Sequence, residues 1–136
     1  MGGRGSFINI NEDNFNFTEG GQKYFALEYD ANNNIKYLVQ PKGSVKVPDY
    51  SHSGDRIYVI LQNNEIKSIG IYENHVKVKS IDLRHTHKNK DGTILYEHFH
   101  TDLFHKGDAE QLTAQDWDIV NKAKNGVKKI YEKKWI

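Results

Sequence analysis

The segment RIYVILQNNEIKSIGIYENHVKVKSID, residues 56–82, decides the fold. Arg56–Gln62 and Glu65–Glu73 are short runs rich in β-branched and aromatic residues, with Asn63-Asn64 between them. Asn74-His75 separates the second run from a third, Val76–Asp82, in which Val76, Val78 and Ser80 share a face. Extended runs joined by two polar turn residues read as consecutive antiparallel hairpins.

The same rhythm continues toward the N-terminus. Gln22–Asp30 alternates as a strand, Asn32-Asn33-Asn34 turns the chain, and residues 35–40 return as a second strand. The stretch 41–54 holds both prolines with several glycines and serines, and reads as a loop or edge. Residues 1–21 open on a glycine-dense MGGRG and interleave Phe7, Ile8, Ile10, Phe15 and Phe17 with asparagines and acids. They are expected to form a flexible or loosely packed arm, with 22–136 as one domain.

Toward the C-terminus the period changes. Thr113 is a good N-cap, Asp116 holds the capping-box position, and Leu112 with Trp117 can staple the first turn. Trp117, Val120, Ala123, Val127, Ile130 and Tyr131 then mark one helical face, predicted as core, to about Lys133. Gly126 inside this run costs about 1 kcal/mol relative to alanine. The expected fold class is α+β: a twisted, mainly antiparallel meander sheet with one long C-terminal helix packed on it.

Composition bounds the function. A mean hydropathy of −0.78 with 37% hydrophobic residues leaves one economical core under a very polar surface. Residues 113–136 carry six lysines against three acids, a basic balance too mild to prove a phosphate-rich partner and more usual for a solvated helix face. Without cysteine there is no disulfide, thiol nucleophile or thiolate metal site. No run approaches the length of a membrane span and the N-terminus shows no apolar signal segment, so no membrane partner is expected.

Chemistry concentrates in DLRHTHKNKDGTILYEHFHTDLFH, residues 82–105, which holds five of the seven histidines. His85/His87 and His98/His100 are each spaced by one residue, so an extended backbone points each pair one way. Asp91-Gly92 favours a hairpin turn between the pairs. A two-residue loop there sets His85 against His98 and His87 against Tyr96. A loop longer by two, centred one residue on, sets His85 against His100 and His87 against His98. Either register leaves all four rings on one face. His52 and His75 sit in turn contexts and receive no role.

Three functions suit such a cluster. In a metal-independent ribonuclease-like site, two of His85, His87, His98 and His100 act as base and acid, Lys88 stabilises charge and Tyr96 donates a hydrogen bond. Arg84 and Thr86 would face away. In a metal site, three or four ring nitrogens hold zinc or nickel, with Asp102 or His105 completing the set. In an interaction module without catalysis, the cluster responds to pH. The first requires no cofactor, and its partner is RNA or another phosphate-bearing ligand.

The chain also resembles a family of small proteins encoded in phages and prophages of Gram-positive bacteria, near the virion structural genes. The likeness covers most of the chain. It is carried by the MGGRGS opening, Asn34-Ile35-Lys36-Tyr37, Arg56-Ile57-Tyr58-Val59, and the run from Asn64 to Ile69. Its most specific part is Ile81-Asp82-Leu83-x-His85-x-His87 with His98-x-His100 and His105, followed by Leu112-Thr113. The sequence departs at Glu97, where the family usually has proline, at Asp102-Leu103, where it has Gly-Tyr, and in the loop between the pairs. The resemblance implies a phage or prophage accessory protein, in the cytoplasm of a bacterial host or on the virion, with phage structural proteins as partners. It also implies a fold likened to nucleases of the barnase, EndoU and RelE type.

Overall fold

A computed structural model of the chain describes residues 16–19, 22–40, 45–101 and 107–133. The three runs of the deciding segment are strands: β4 (Arg56–Gln62), β5 (Glu65–Glu73) and β6 (Val76–Asp82). Each connects through two residues with positive φ, Asn63 and Asn64 at 54° and 67°, Asn74 and His75 at 53° and 72°. Two left-handed residues in succession twist with the flanking strands, and asparagine bears that conformation at low cost. Upstream lie β1 (Asn16–Glu19), β2 (Gln22–Asp30) and β3 (Ile35–Val39). Downstream lie β7 (His87–Lys88), β8 (Ile94–Leu95), β9 (His98–His100) and β10 (Glu110–Gln111), then helix α1 (Ala114–Lys133).

Among the described residues the main sheet has eight strands in the order β1-β2-β3-β4-β5-β6-β9-β10, with β7 and β8 as a separate ribbon. The architecture is α+β, mainly antiparallel, with the helix packed on one face. Part of the expected arm is an edge strand, since Asn16–Glu19 pairs with β2; residues 1–15 lie outside the described residues.

The meander has one departure. β3 and β4 are parallel, with Ile35 beside Ile57 and Leu38 beside Ile60, so the segment between them must cross the sheet. That crossover lies over the face away from the helix. Tyr24 donates to the Lys46 carbonyl at 2.9 Å, Tyr72 to that of Pro48, and the Lys77 amide to that of Asp49 at 3.0 Å. The described part of the stretch read as a loop or edge, 45–54, is therefore a cover.

Strand alternation then divides the interior in two. On the helix side, Ile35, Tyr37, Val59, Leu61, Ile69, Ile81 and Phe99 pack against Val120, Ala123 and Ile130. On the other side, Tyr24, Leu38, Tyr58, Ile60 and Tyr72 pack beneath Val47. The capping box forms reciprocally: Asp116 N–H donates to Thr113 Oγ1 at 3.2 Å, and Thr113 N–H to Asp116 Oδ2 at 2.8 Å. Asp116 also pairs with Lys79 at 2.8 Å, tying the helix start to β6. Trp117 departs from its predicted place in the core. It is 39% exposed, and with Ile66, Leu83, Arg84, Glu97, Lys124 and Val127 it lines a surface groove.

Candidate metal centre

The second face changes character toward β9. Ser68 on β5 stands beside Asp82 on β6, Gly70 beside Ser80, and Asp82 and Ser80 oppose His98 and His100 on β9. Alternation puts all these side chains on the crossover side, where the apolar layer gives way to a buried polar floor. His98 is fully buried and His100 is 3% exposed.

The hairpin between the histidine pairs takes neither expected register. His87 opposes Leu95 and Lys88 opposes Ile94, an odd offset that parity reasoning did not consider. Its tip is a three-residue loop, 90–92. The Asn89 amide donates to the Thr93 carbonyl and the Gly92 amide to that of Asn89, both at 2.9 Å, with Gly92 at φ 91°. A turn followed by a left-handed glycine is the usual three-residue solution. Strand β6 ends at Asp82, and His85 lies in the bend that follows it. The second pair leaves the ribbon at Tyr96-Glu97 and joins β6 instead. The four rings converge because two separate pairings meet at Asp82, whereas the one shared ladder expected from the sequence is absent.

Ring centroids of His85 and His98 are 5.3 Å apart, His87 and His98 5.6 Å, His87 and His100 4.9 Å, and His98 and His100 5.1 Å. Three Nε2 atoms approach one oxygen, Asp82 Oδ2: His98 at 3.3 Å, His85 at 3.7 Å and His100 at 3.8 Å. His98 Nδ1 lies 2.7 Å from the Tyr96 carbonyl oxygen, which can only accept, so Nδ1 carries the hydrogen. In a neutral ring that leaves a lone pair on Nε2, which is buried without a hydrogen-bond partner and faces the carboxylate.

Two overlapping sets have the spacing of metal ligands: Asp82, His85 and His98, and His87, His98 and His100, with each set's donor atoms within 4.8 Å of one another. Asp82, the hub, was missed from the sequence. The available signal was its place at the end of an alternating strand, on the face of Ser80, one step before the first histidine pair.

The other named residues fall elsewhere. Lys88 is exposed and paired with Ile94, and strand alternation turns it away from His87. The Tyr96 side chain is 71% exposed; its contribution to the site is the carbonyl that orients His98. Tyr96 also lines a small surface pocket with Leu83, Arg84, His85, Thr86 and Glu97. Asp102 and His105 lie outside the described residues. Beside Asp82, His85, His87 and His100 opens a cleft of about 280 Å³, walled by Val45, Lys46 and Val47 from the crossover and by Lys67 and Ser68 from β5. Among the described residues, no helix is long and apolar enough to cross a membrane. Comparison of the chain with protein-family models, curated proteins and solved structures returned no match.

Proposed function

We propose that this protein binds one divalent transition-metal ion, of the zinc class, through Asp82 and the Nε2 atoms of His98 and His85, with His100 and His87 alongside. The observation that carries the reading is the convergence of three ring nitrogens on Asp82 Oδ2 at 3.3, 3.7 and 3.8 Å. Zinc bonds of about 2.0–2.1 Å at tetrahedral angles place neighbouring ligand atoms roughly 3.3 Å apart. A single proton relieves one nitrogen–oxygen contact, whereas a shared cation relieves those of both His98 and His85 with Asp82. The bond from His98 Nδ1 to a carbonyl is also the usual outer partner of a metal-bound imidazole, because it fixes the tautomer and the ring plane.

One ion is expected, not two. His98 belongs to both ligand sets, and with Nδ1 occupied it has one lone pair to give. The test is calorimetric titration of untagged, chelator-stripped protein with Zn(II). Saturation at one ion per chain, lost in His98→Ala, is the expected result; absence of stoichiometric binding refutes the proposal.

A second reading, metal-independent phosphoryl transfer by the more accessible His85 and His87, draws support from Lys46 and Lys67 in the same cleft. RNA cleavage that persists in chelator and disappears in His85→Ala would establish it in place of the first. The phage or prophage setting is a proposal supported by the residue resemblance alone.

A further inference from the structure

We infer that the cleft beside this metal site binds the phosphate group of a small molecule, with Lys67 and Lys46 as its charge partners and Ser68 as a hydroxyl donor. The inference rests on the metal reading and adds a ligand class to it.

The first observation is a β-bulge. Ile60 pairs with Ser68 and Leu61 with Ile66, so Lys67 is the extra residue, without a partner across the ladder. Bulges re-aim side chains and are common beside functional sites. Here the bulge sends Lys67 to the crossover side together with Ser68, although the two are adjacent in sequence. Its ammonium donates to the Val45 carbonyl at 2.7 Å, which anchors it at the cleft wall and leaves two N–H donors.

The second observation is charge. Among the described residues, no carboxylate forms an ion pair with Lys46 or Lys67. The acid lining the cleft is Asp82, whose charge a bound divalent ion more than offsets. Two lysines, a serine and a cation around one small space suit a multiply charged tetrahedral oxyanion better than a monoanionic carboxylate. Size agrees: about 280 Å³ falls just below the range for drug-sized ligands and suits a small phosphate compound.

The experiment uses the full chain loaded with Co(II), whose visible absorption reports its ligands, and titrates inorganic phosphate. The expected result is a saturable spectral change, with phosphate affinity about tenfold weaker in Lys67→Met and in Lys46→Gln while Co(II) affinity is unchanged. The surface variant Lys46→Gln keeps the test valid if altering the bulge perturbs folding. Failure to bind Co(II) overturns the metal reading and this inference with it. Normal Co(II) binding with no response to phosphate, a phosphate affinity unchanged from wild type in both lysine variants, or a response to RNA alone overturns the phosphate inference and leaves the metal site standing.

Discussion

Asp82 and His98 face each other across the β6–β9 ladder with Oδ2 3.3 Å from Nε2, while the far side of the same ring is held by the Tyr96 carbonyl at 2.7 Å. In the neutral ring the arrangement aims a lone pair at a buried carboxylate, a contact that favours an intervening cation. Its energetic consequence can be measured without knowing the protein's activity.

Asp82→Asn should separate stability from binding. The amide can donate to His98 Nε2, so the metal-free variant should be as stable as wild type or more so. Zinc affinity should fall by more than the ~10–100-fold typical of outer-sphere changes, because a direct ligand is lost. Thermal unfolding of stripped protein and zinc titration of the same sample check both halves. A variant that keeps wild-type zinc affinity would remove Asp82 from the site.

Metal should stabilise the fold. An ion that binds only the native state at about 100 times its Kd adds about 2.7 kcal/mol. At roughly 4 °C per kcal/mol for a chain of this size, Tm should rise by about 10 °C on adding Zn(II) and return with chelator. Scanning calorimetry on untagged protein reads this directly, and a Tm indifferent to zinc contradicts it.

Gly92 has open space around its Cβ position but sits at φ 91°, so Gly92→Ala carries backbone strain alone. The β7–β8 ribbon should lose about 1 kcal/mol of local stability. Amide exchange should quicken at the Asn89 N–H, bonded to Thr93 at 2.9 Å, while the Ile81–Phe99 pairing in the main sheet keeps its protection.

Gly126 is a position where helix propensity misleads. A Cβ there would overlap the Tyr37 hydroxyl, which lies 3.4 Å from the Ala123 carbonyl oxygen it donates to. Gly126→Ala should therefore destabilise by about 1–3 kcal/mol through overpacking, outweighing its propensity gain. Adding Tyr37→Phe should recover part of the loss. Denaturant unfolding of the single and double variants measures the coupling, and a stabilised single variant would disprove the close approach.

Acid should weaken the helix start through Asp116. Burial alone would raise its pKa, but hydrogen bonds from Lys79 and from the Thr113 backbone and hydroxyl, with the Lys79 charge, hold it below the usual carboxylate value. A depressed folded pKa contributes stability above the unfolded value near 3.8 and loses it as pH falls through the folded one. Asp116→Asn should thus be less stable than wild type at neutral pH. The gap should narrow below about pH 4, as read from unfolding curves across that range.

The chain by itself determined what local chemistry controls. The dipeptides Asn63-Asn64 and Asn74-His75, able to adopt positive φ, placed the turns at 63–64 and 74–75, and the Thr113–Asp116 box placed the helix start. Period-two and helical spacing drew most of the core, apart from Trp117, which lies beside a groove that periodicity cannot reveal. Tertiary structure decided everything that depends on which distant segments pair. It made β3 and β4 parallel, so the crossover became a cleft wall; it bulged β5 at Lys67; and it took the second histidine pair out of its own hairpin and set it on β6. Side-chain parity says which residues share a face of one strand but cannot say which strand lies alongside. The histidines were therefore legible as a group, while Asp82, the carboxylate they converge on, became visible only once the ladder was formed.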